Sequence, residues 1–138
     1  MKQYNIPVEA TLEIIGGKWK VVILCHLTKG KKRTSELQRL IPEISVRMLT
    51  QQLRELEEDG VITRKIYNEI PPRVEYSLTD YGWSLQNVLN QLTAWGERCI
   101  DRKIVKLNEI YICNIETPPI DEVVFFQYKA LKSYYGEQ

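Results

Sequence analysis

The chain has 138 residues, 43% of them hydrophobic, which suits one core and is too little for a large multidomain enzyme. Nineteen Lys and Arg stand against eighteen Asp and Glu, so a net charge of +1 identifies no partner, and any electrostatic message lies in where the charges sit. The longest apolar run, Val21 to Cys25, falls far short of the roughly 18 to 20 residues of a membrane span, and no basic-then-apolar leader opens the chain; a soluble, cytoplasmic protein with no membrane partner is expected.

In chain order, Pro7 suits a first helical position, and Val8, Leu12 and Ile15 share one face until Gly16-Gly17 stops the helix. From Lys18 a second helix carries Trp19, Val22, Ile23 and Leu27, with enough further apolar residues to lie centrally in the core before Gly30. Thr34 or Ser35 is expected to cap a third helix, with Leu37, Leu40 and Ile41 as its stripe and Pro42 beyond it. Ser45 caps a longer helix whose apolar stripe is Val46, Leu49, Leu53 and Leu56 and whose end is Asp59-Gly60. Only three residues separate Ile41 from Ser45, a spacing that describes a helix-turn-helix.

After Gly60 the pattern changes to β-branched residues, and Ile62 to Leu78 reads as a two-stranded hairpin with a tip at Ile70-Pro71-Pro72. Thr79 then caps a single helix running to about Arg102, with Tyr81, Leu85, Val88, Leu92, Trp95 and Cys99 at alternating spacings of four and three, a seam that calls for another helix. Past residue 100 the signal weakens. Ile110 to Ile115 reads as a strand or a helix tail, and Ile120, Val124, Tyr128, Leu131 and Tyr135 form a last helical stripe. The expected organisation is a winged helix-turn-helix and dimerisation domain over residues 1–105, followed by a C-terminal extension over 106–138 that packs on the same domain or on a dimer interface. The fold class is mainly α with a small β-wing and extra terminal helices.

A helix, a helix-turn-helix and a hairpin in that order make a winged helix, whose second motif helix enters the major groove of DNA. The charges agree: Lys18, Lys20, Lys29, Lys31, Lys32 and Arg33 fall in one stretch that holds no acid, an electrostatic footprint for phosphates. Taken alone such a run is as often a solvated face; the wing beside it tips the balance. On the longer helix the apolar stripe leaves Ser45, Arg47, Thr50, Gln51 and Arg54 on the other face, where Arg and Gln suit base edges and Ser and Thr suit phosphates. The acidic cluster Glu55, Glu57, Glu58 and Asp59 would repel DNA and is expected to point away. Arg64, Lys65 and Arg73 flank the hairpin as phosphate contacts, although Arg73 is equally placed to pair with Glu69 or Glu75.

The stretches IGGKWK (15–20), SEL (35–37), ISVRMLTQQLRELEEDGVITR (44–64), PPRVEYSLTDYG (71–82) and WGE (95–97) resemble HxlR-type regulators, a bacterial winged-helix group related to MarR regulators. The resemblance covers about residues 5 to 100 in order. It implies a homodimeric transcription factor that binds a two-fold symmetric, double-stranded operator, with the helix Ser45 to Asp59 as DNA reader, the hairpin as wing and the terminal helices as dimer interface. The expected interface residues are Val8, Leu12, Leu85, Val88, Leu92, Trp95 and Cys99. Two positions depart from the family. Thr34 stands where a Phe is usual, and Ile6 stands where many members carry a redox-sensing Cys just before the helix proline, so thiol sensing at that position is not expected.

Nothing in the sequence points to catalysis, a metal or a cofactor, and no small-molecule effector is identified. Cys25, Cys99 and Cys113 are odd in number without a CxxC pair, Cys25 and Cys99 read as packed residues, and His26 reads as a hydrogen-bonded structural residue. Adjacent carboxylates such as Glu57-Glu58 diverge on a helix, and Gly16-Gly17 lacks a phosphate-loop context. A winged helix used only for protein contact is the alternative; a neutral reading face would favour it, and Arg47, Gln51 and Arg54 oppose it.

Overall fold

The structure, a computed structural model, describes residues 1–113, the last ten by backbone alone. Its elements follow in the order α1 (Val8–Ile15), α2 (Lys20–Leu27), α3 (Thr34–Leu40), α4 (Val46–Glu58), β1 (Ile62–Tyr67), β2 (Arg73–Leu78), α5 (Asp80–Trp83) and α6 (Gln86–Cys113). The chain divides into a compact unit, Met1–Leu89, and a second unit from Asn90 onward. The last expected stripe, Ile120 to Tyr135, lies outside the described residues.

The core belongs to the first unit. Ile15 from α1, Ile23, Leu24 and Leu27 from α2, Leu37 from α3, and Leu49, Leu53 and Leu56 from α4 are buried together, joined by Ile41 and Ile44 from the turn of the helix-turn-helix. Val61, Ile62, Leu78 and Leu89 close it. As the sequence suggests, α2 is central, with Ile23 and Leu24 wholly buried. One residue of the expected α4 stripe behaves differently: Val46 is 63% exposed. The burial of Leu49, Leu53 and Leu56 sets the helix orientation, and Val46, three residues before Leu49 in the first turn, falls at the edge of that face.

The helix ends follow local chemistry. The Ser45 hydroxyl accepts from the Met48 N–H at 3.1 Å, the expected cap, and Gly60 adopts φ +75°, the left-handed conformation that ends α4. At α3 the capping residue is Arg33 rather than Thr34 or Ser35. Arg33 is extended, and its backbone N–H donates to the Glu36 carboxylate at 3.4 Å, so the cap is made from within the first turn.

β1 and β2 pair antiparallel in the register Ile62↔Leu78 to Tyr67↔Arg73. Lys32, in the connection between α2 and α3, adds a bridge to the other side of β2: its N–H donates to the Tyr76 carbonyl at 3.1 Å and its carbonyl accepts from Tyr76 at 2.9 Å. The wing is thereby fastened to the loop that leads into the helix-turn-helix.

The single helix expected from Thr79 is two. Thr79 does act as cap, accepting from the Gly82 N–H at 3.0 Å while its hydroxyl donates to the Gly60 carbonyl at 2.6 Å. After one turn the Ser84 hydroxyl donates back to the Tyr81 carbonyl, and α6 starts afresh at Gln86. The break lets Gly82 press against the Val61 carbonyl while Leu85 and Leu89 reach the core.

Candidate nucleic-acid interface

Burying Leu49, Leu53 and Leu56 dictates what α4 shows to solvent. Arg47, Thr50, Gln51 and Arg54 lie at spacings of three and four, opposite the leucines, and all four are exposed, as is the capping Ser45. The reading face drawn from the sequence is thus one outward stripe. Its side chains are not equally uncommitted, since the Thr50 hydroxyl donates to the Val46 carbonyl at 2.8 Å and the Gln51 amide nitrogen donates to Glu55 Oε1 at 3.3 Å.

The acidic cluster at the end of α4 does not point away as a unit. Glu55 turns toward α2, whereas Glu57, Glu58 and Asp59 are exposed, and Glu58 follows Arg54 by one helical turn on the same side. Glu55 also alters the expected cationic set. Lys20 is 8% exposed, and its Nζ lies 2.7 Å from Glu55 Oε2, so its charge is neutralised inside the protein instead of being offered to phosphates. Hydrogen bonds from Lys20 first, and from Gln51 second, hold the Glu55 carboxyl below its ordinary range.

The remaining cations of the acid-free stretch part into two places. Lys18 is exposed at the start of α2, stacked 4.5 Å from the Trp19 ring centre. Lys29, Lys31 and Arg33 are exposed, and Lys32 half-buried, in the connection that the Tyr76 bridge pins to the wing. Burial, and next the nearby Lys32 charge, lower the pKa of His26, so its imidazole is neutral at pH 7.

On the wing, alternation along β1 puts Arg64 and Lys65 on opposite faces, both exposed. Lys65 and Arg73 stack on the Tyr67 ring at 4.9 and 4.1 Å. Arg73 is further held by Glu69 Oε1 at 3.3 Å and Glu75 Oε1 at 3.4 Å, the pairing that its neighbours suggested, so its charge is largely balanced within the wing. A shallow open concavity is lined by Lys31, Thr63, Arg64, Lys65, Tyr67, Glu75 and Ser77. Lys31 was visible in the sequence only as one of a run; the Lys32–Tyr76 bridge is what carries it to the wing.

The expected interface residues differ among themselves. Val8 and Leu12 on α1 are exposed, as are Val88, Leu92 and Trp95 on α6, whereas Leu85 packs against the core and Cys99 is half-buried. Among the described residues no group of acidic, Cys and His side chains is arranged to hold a metal, and no helix is long and apolar enough to cross a membrane.

A helix-turn-helix whose second helix turns arginine and glutamine outward, followed by a cationic β-hairpin, defines a winged helix-turn-helix protein. The model of the HxlR-like helix-turn-helix family matches residues 14–104, and the chain belongs to that family. It is 68% identical over 101 residues to the HTH-type transcriptional regulator YtcD of Bacillus subtilis (strain 168), covering 73% of this chain and 80% of that one. The crystal structure of YtcD superposes with a TM-score of 0.67 at 66% identity, over 70% of this chain and 98% of the other. The redox regulator HypR in its oxidised form superposes with a TM-score of 0.66 at 52% identity, over 67% and 96% of the two chains.

Proposed function

We propose that this protein is a sequence-specific transcriptional regulator that binds double-stranded DNA through α4 and the wing, as a homodimer on a two-fold symmetric operator. The observation that carries the reading is the outward stripe Arg47, Thr50, Gln51 and Arg54, set opposite the leucines that fix the helix in the core. An α-helix fits the major groove, where arginine pairs bidentately with guanine and glutamine with adenine. Exposed Arg64 and Lys65 on the wing, with Lys31 on the same concavity, supply phosphate contacts, and Lys18 adds a separate one. Family membership and the regulators it resembles support the same assignment.

Selection of bound sequences from a random duplex pool tests this directly, a two-fold symmetric consensus being the expected result. Affinity for the selected site falls steeply with salt, with a logarithmic slope of roughly 0.9 per phosphate contact. Arg47→Ala and Gln51→Ala each cost about 1 to 3 kcal/mol at particular base pairs, measured by titration against single-base variants of the site. Arg64→Ala instead weakens all sequences alike and reduces the salt slope. Unchanged base preference in both α4 variants would show that α4 is not the reader.

A further inference from the structure

Lys20 is the one buried charged residue among those described, and it is not left inert. Its ammonium meets Glu55 Oε2 at 2.7 Å, and the other oxygen of the same carboxylate accepts from the Gln51 amide nitrogen at 3.3 Å. The three side chains form a relay from the core helix α2, through Glu55, to the outward stripe of α4. We propose that Lys20 and Glu55 are positioning residues for Gln51, fixing which end of its amide faces the DNA and so the base it selects. The proposal rests on the reading of α4 as the groove helix.

The chemistry follows from what a carboxylate can do. Ionised Glu55 has only acceptor sites, so the nitrogen end of the Gln51 amide must turn to it and not the carbonyl. Glu55 is ionised at neutral pH in any case; what Lys20 adds is an anchor that fixes the position of the carboxylate from an element that does not itself face the groove. Gln51 is left with its carbonyl oxygen and its second amide hydrogen for the DNA. Those are the two groups that match the N6 donor and N7 acceptor of adenine, presented with one polarity rather than two. An amide released from Glu55 rotates and is satisfied from either orientation, so the preference for adenine on one strand relaxes. Locking the side chain before binding also removes part of the ordering cost at the interface.

Two substitutions separate this role from general support. Lys20→Met keeps the length and apolar body of the side chain but leaves the Glu55 charge unbalanced near the phosphates, which lowers affinity for every sequence. Glu55→Gln removes that negative charge from the DNA-facing helix, which raises general affinity, and places an amide that both donates and accepts beside Gln51. The two variants therefore differ in general affinity, yet a relay requires both to lose the same base preference. Site selection with Gln51→Ala first identifies the base pair that Gln51 reads, and Arg47→Ala and Arg54→Ala identify theirs. Binding of the full-length variants to single-base variants of the operator is then measured, with circular dichroism to verify the fold. The expected result is that discrimination at the Gln51 position drops by about fivefold or more in both variants, while discrimination at the Arg47 and Arg54 positions is kept. If Glu55→Gln, which alters a half-buried side chain and leaves the core leucines in place, keeps wild-type discrimination at the Gln51 position, the relay is wrong even if Lys20→Met does not fold. If none of the three α4 alanine variants alters the consensus, the reading of α4 fails and the relay with it.

Discussion

The value of a side chain on α4 is decided by which way the helix turns it. Leu49 is wholly buried in the core cluster, whereas Val46, also an aliphatic residue three positions earlier, is mostly exposed. Leu49→Ala removes buried methyl groups and leaves a cavity, and is expected to cost about 2 to 5 kcal/mol of folding stability. Val46→Ala loses little burial and is expected to stay within about 0.5 kcal/mol of the wild type. Urea denaturation of the two variants measures both, and an equal loss would mean that Val46 belongs to the core after all. The cysteines can be argued in the same way. A reactive thiol needs access and a neighbouring cation or helix N-terminus to stabilise its thiolate. Ile6 occupies the position ahead of Pro7 where a helix start would supply that, and Cys25 and Cys99 are half-buried within the bodies of α2 and α6. Treatment with diamide is therefore expected to leave operator binding unchanged, in contrast to a regulator that senses through an N-terminal thiol. A loss of binding that a Cys25, Cys99 and Cys113 triple serine variant escapes would place redox control on one of these three.

At the scale of elements, the joint between wing and long helix depends on one glycine. A Cβ added to Gly82 would lie 2.1 Å from the Val61 carbonyl oxygen and 3.2 Å from a Leu78 methyl carbon, and the carbonyl is backbone held by the Thr79 N–H at 3.1 Å. Gly82→Ala must push α5 away from the Val61 carbonyl and is expected to destabilise the fold by about 1 to 3 kcal/mol, in the manner of an overpacked core, despite alanine's better helix propensity. Thermal unfolding of the variant checks this; a gain in stability would show that α5 can shift freely. The same joint marks where the sequence was legible and where it was not. Periodicity revealed α1, the helix-turn-helix and both strands, and a dense apolar run revealed α2, although of the α1 face only Ile15 is buried. The seam from Tyr81 to Cys99 kept its spacing across Ser84-Leu85, so nothing in its period showed the break that the close approach of Gly82 to Val61 accompanies. Lys20 misled for a similar reason: in sequence it is one lysine among six cations, and only the packing of α2 on α4 brings Glu55 to it. The outward stripe of α4 was readable because it is the complement of the leucines.

At the scale of the molecule, surface left apolar asks for a partner. Leu92 and Trp95 on α6 are 46% and 64% exposed, Val88 precedes them by one turn on the same helix, and Val8 and Leu12 are exposed on α1. Single exposed leucines are ordinary, but large apolar side chains recurring at spacings of four and three form a stripe suited to another helix. A second copy of the chain is the partner proposed with the operator reading, since a two-fold axis would present two α4 helices to half-sites about one DNA turn apart, roughly 34 to 36 Å. Light scattering at micromolar concentration is expected to give twice the chain mass of 16.2 kDa. Leu92→Glu places a charge within the stripe at a side chain that is 46% exposed and is not one of the buried core residues, so it is expected to yield folded monomers with a native circular dichroism spectrum. Those monomers keep the α4 face but lose the coupling of two half-sites, so binding to a full operator falls toward that for an isolated half-site. A wild-type protein of monomeric mass, or a Leu92→Glu variant that remains dimeric, would remove this stripe from the interface.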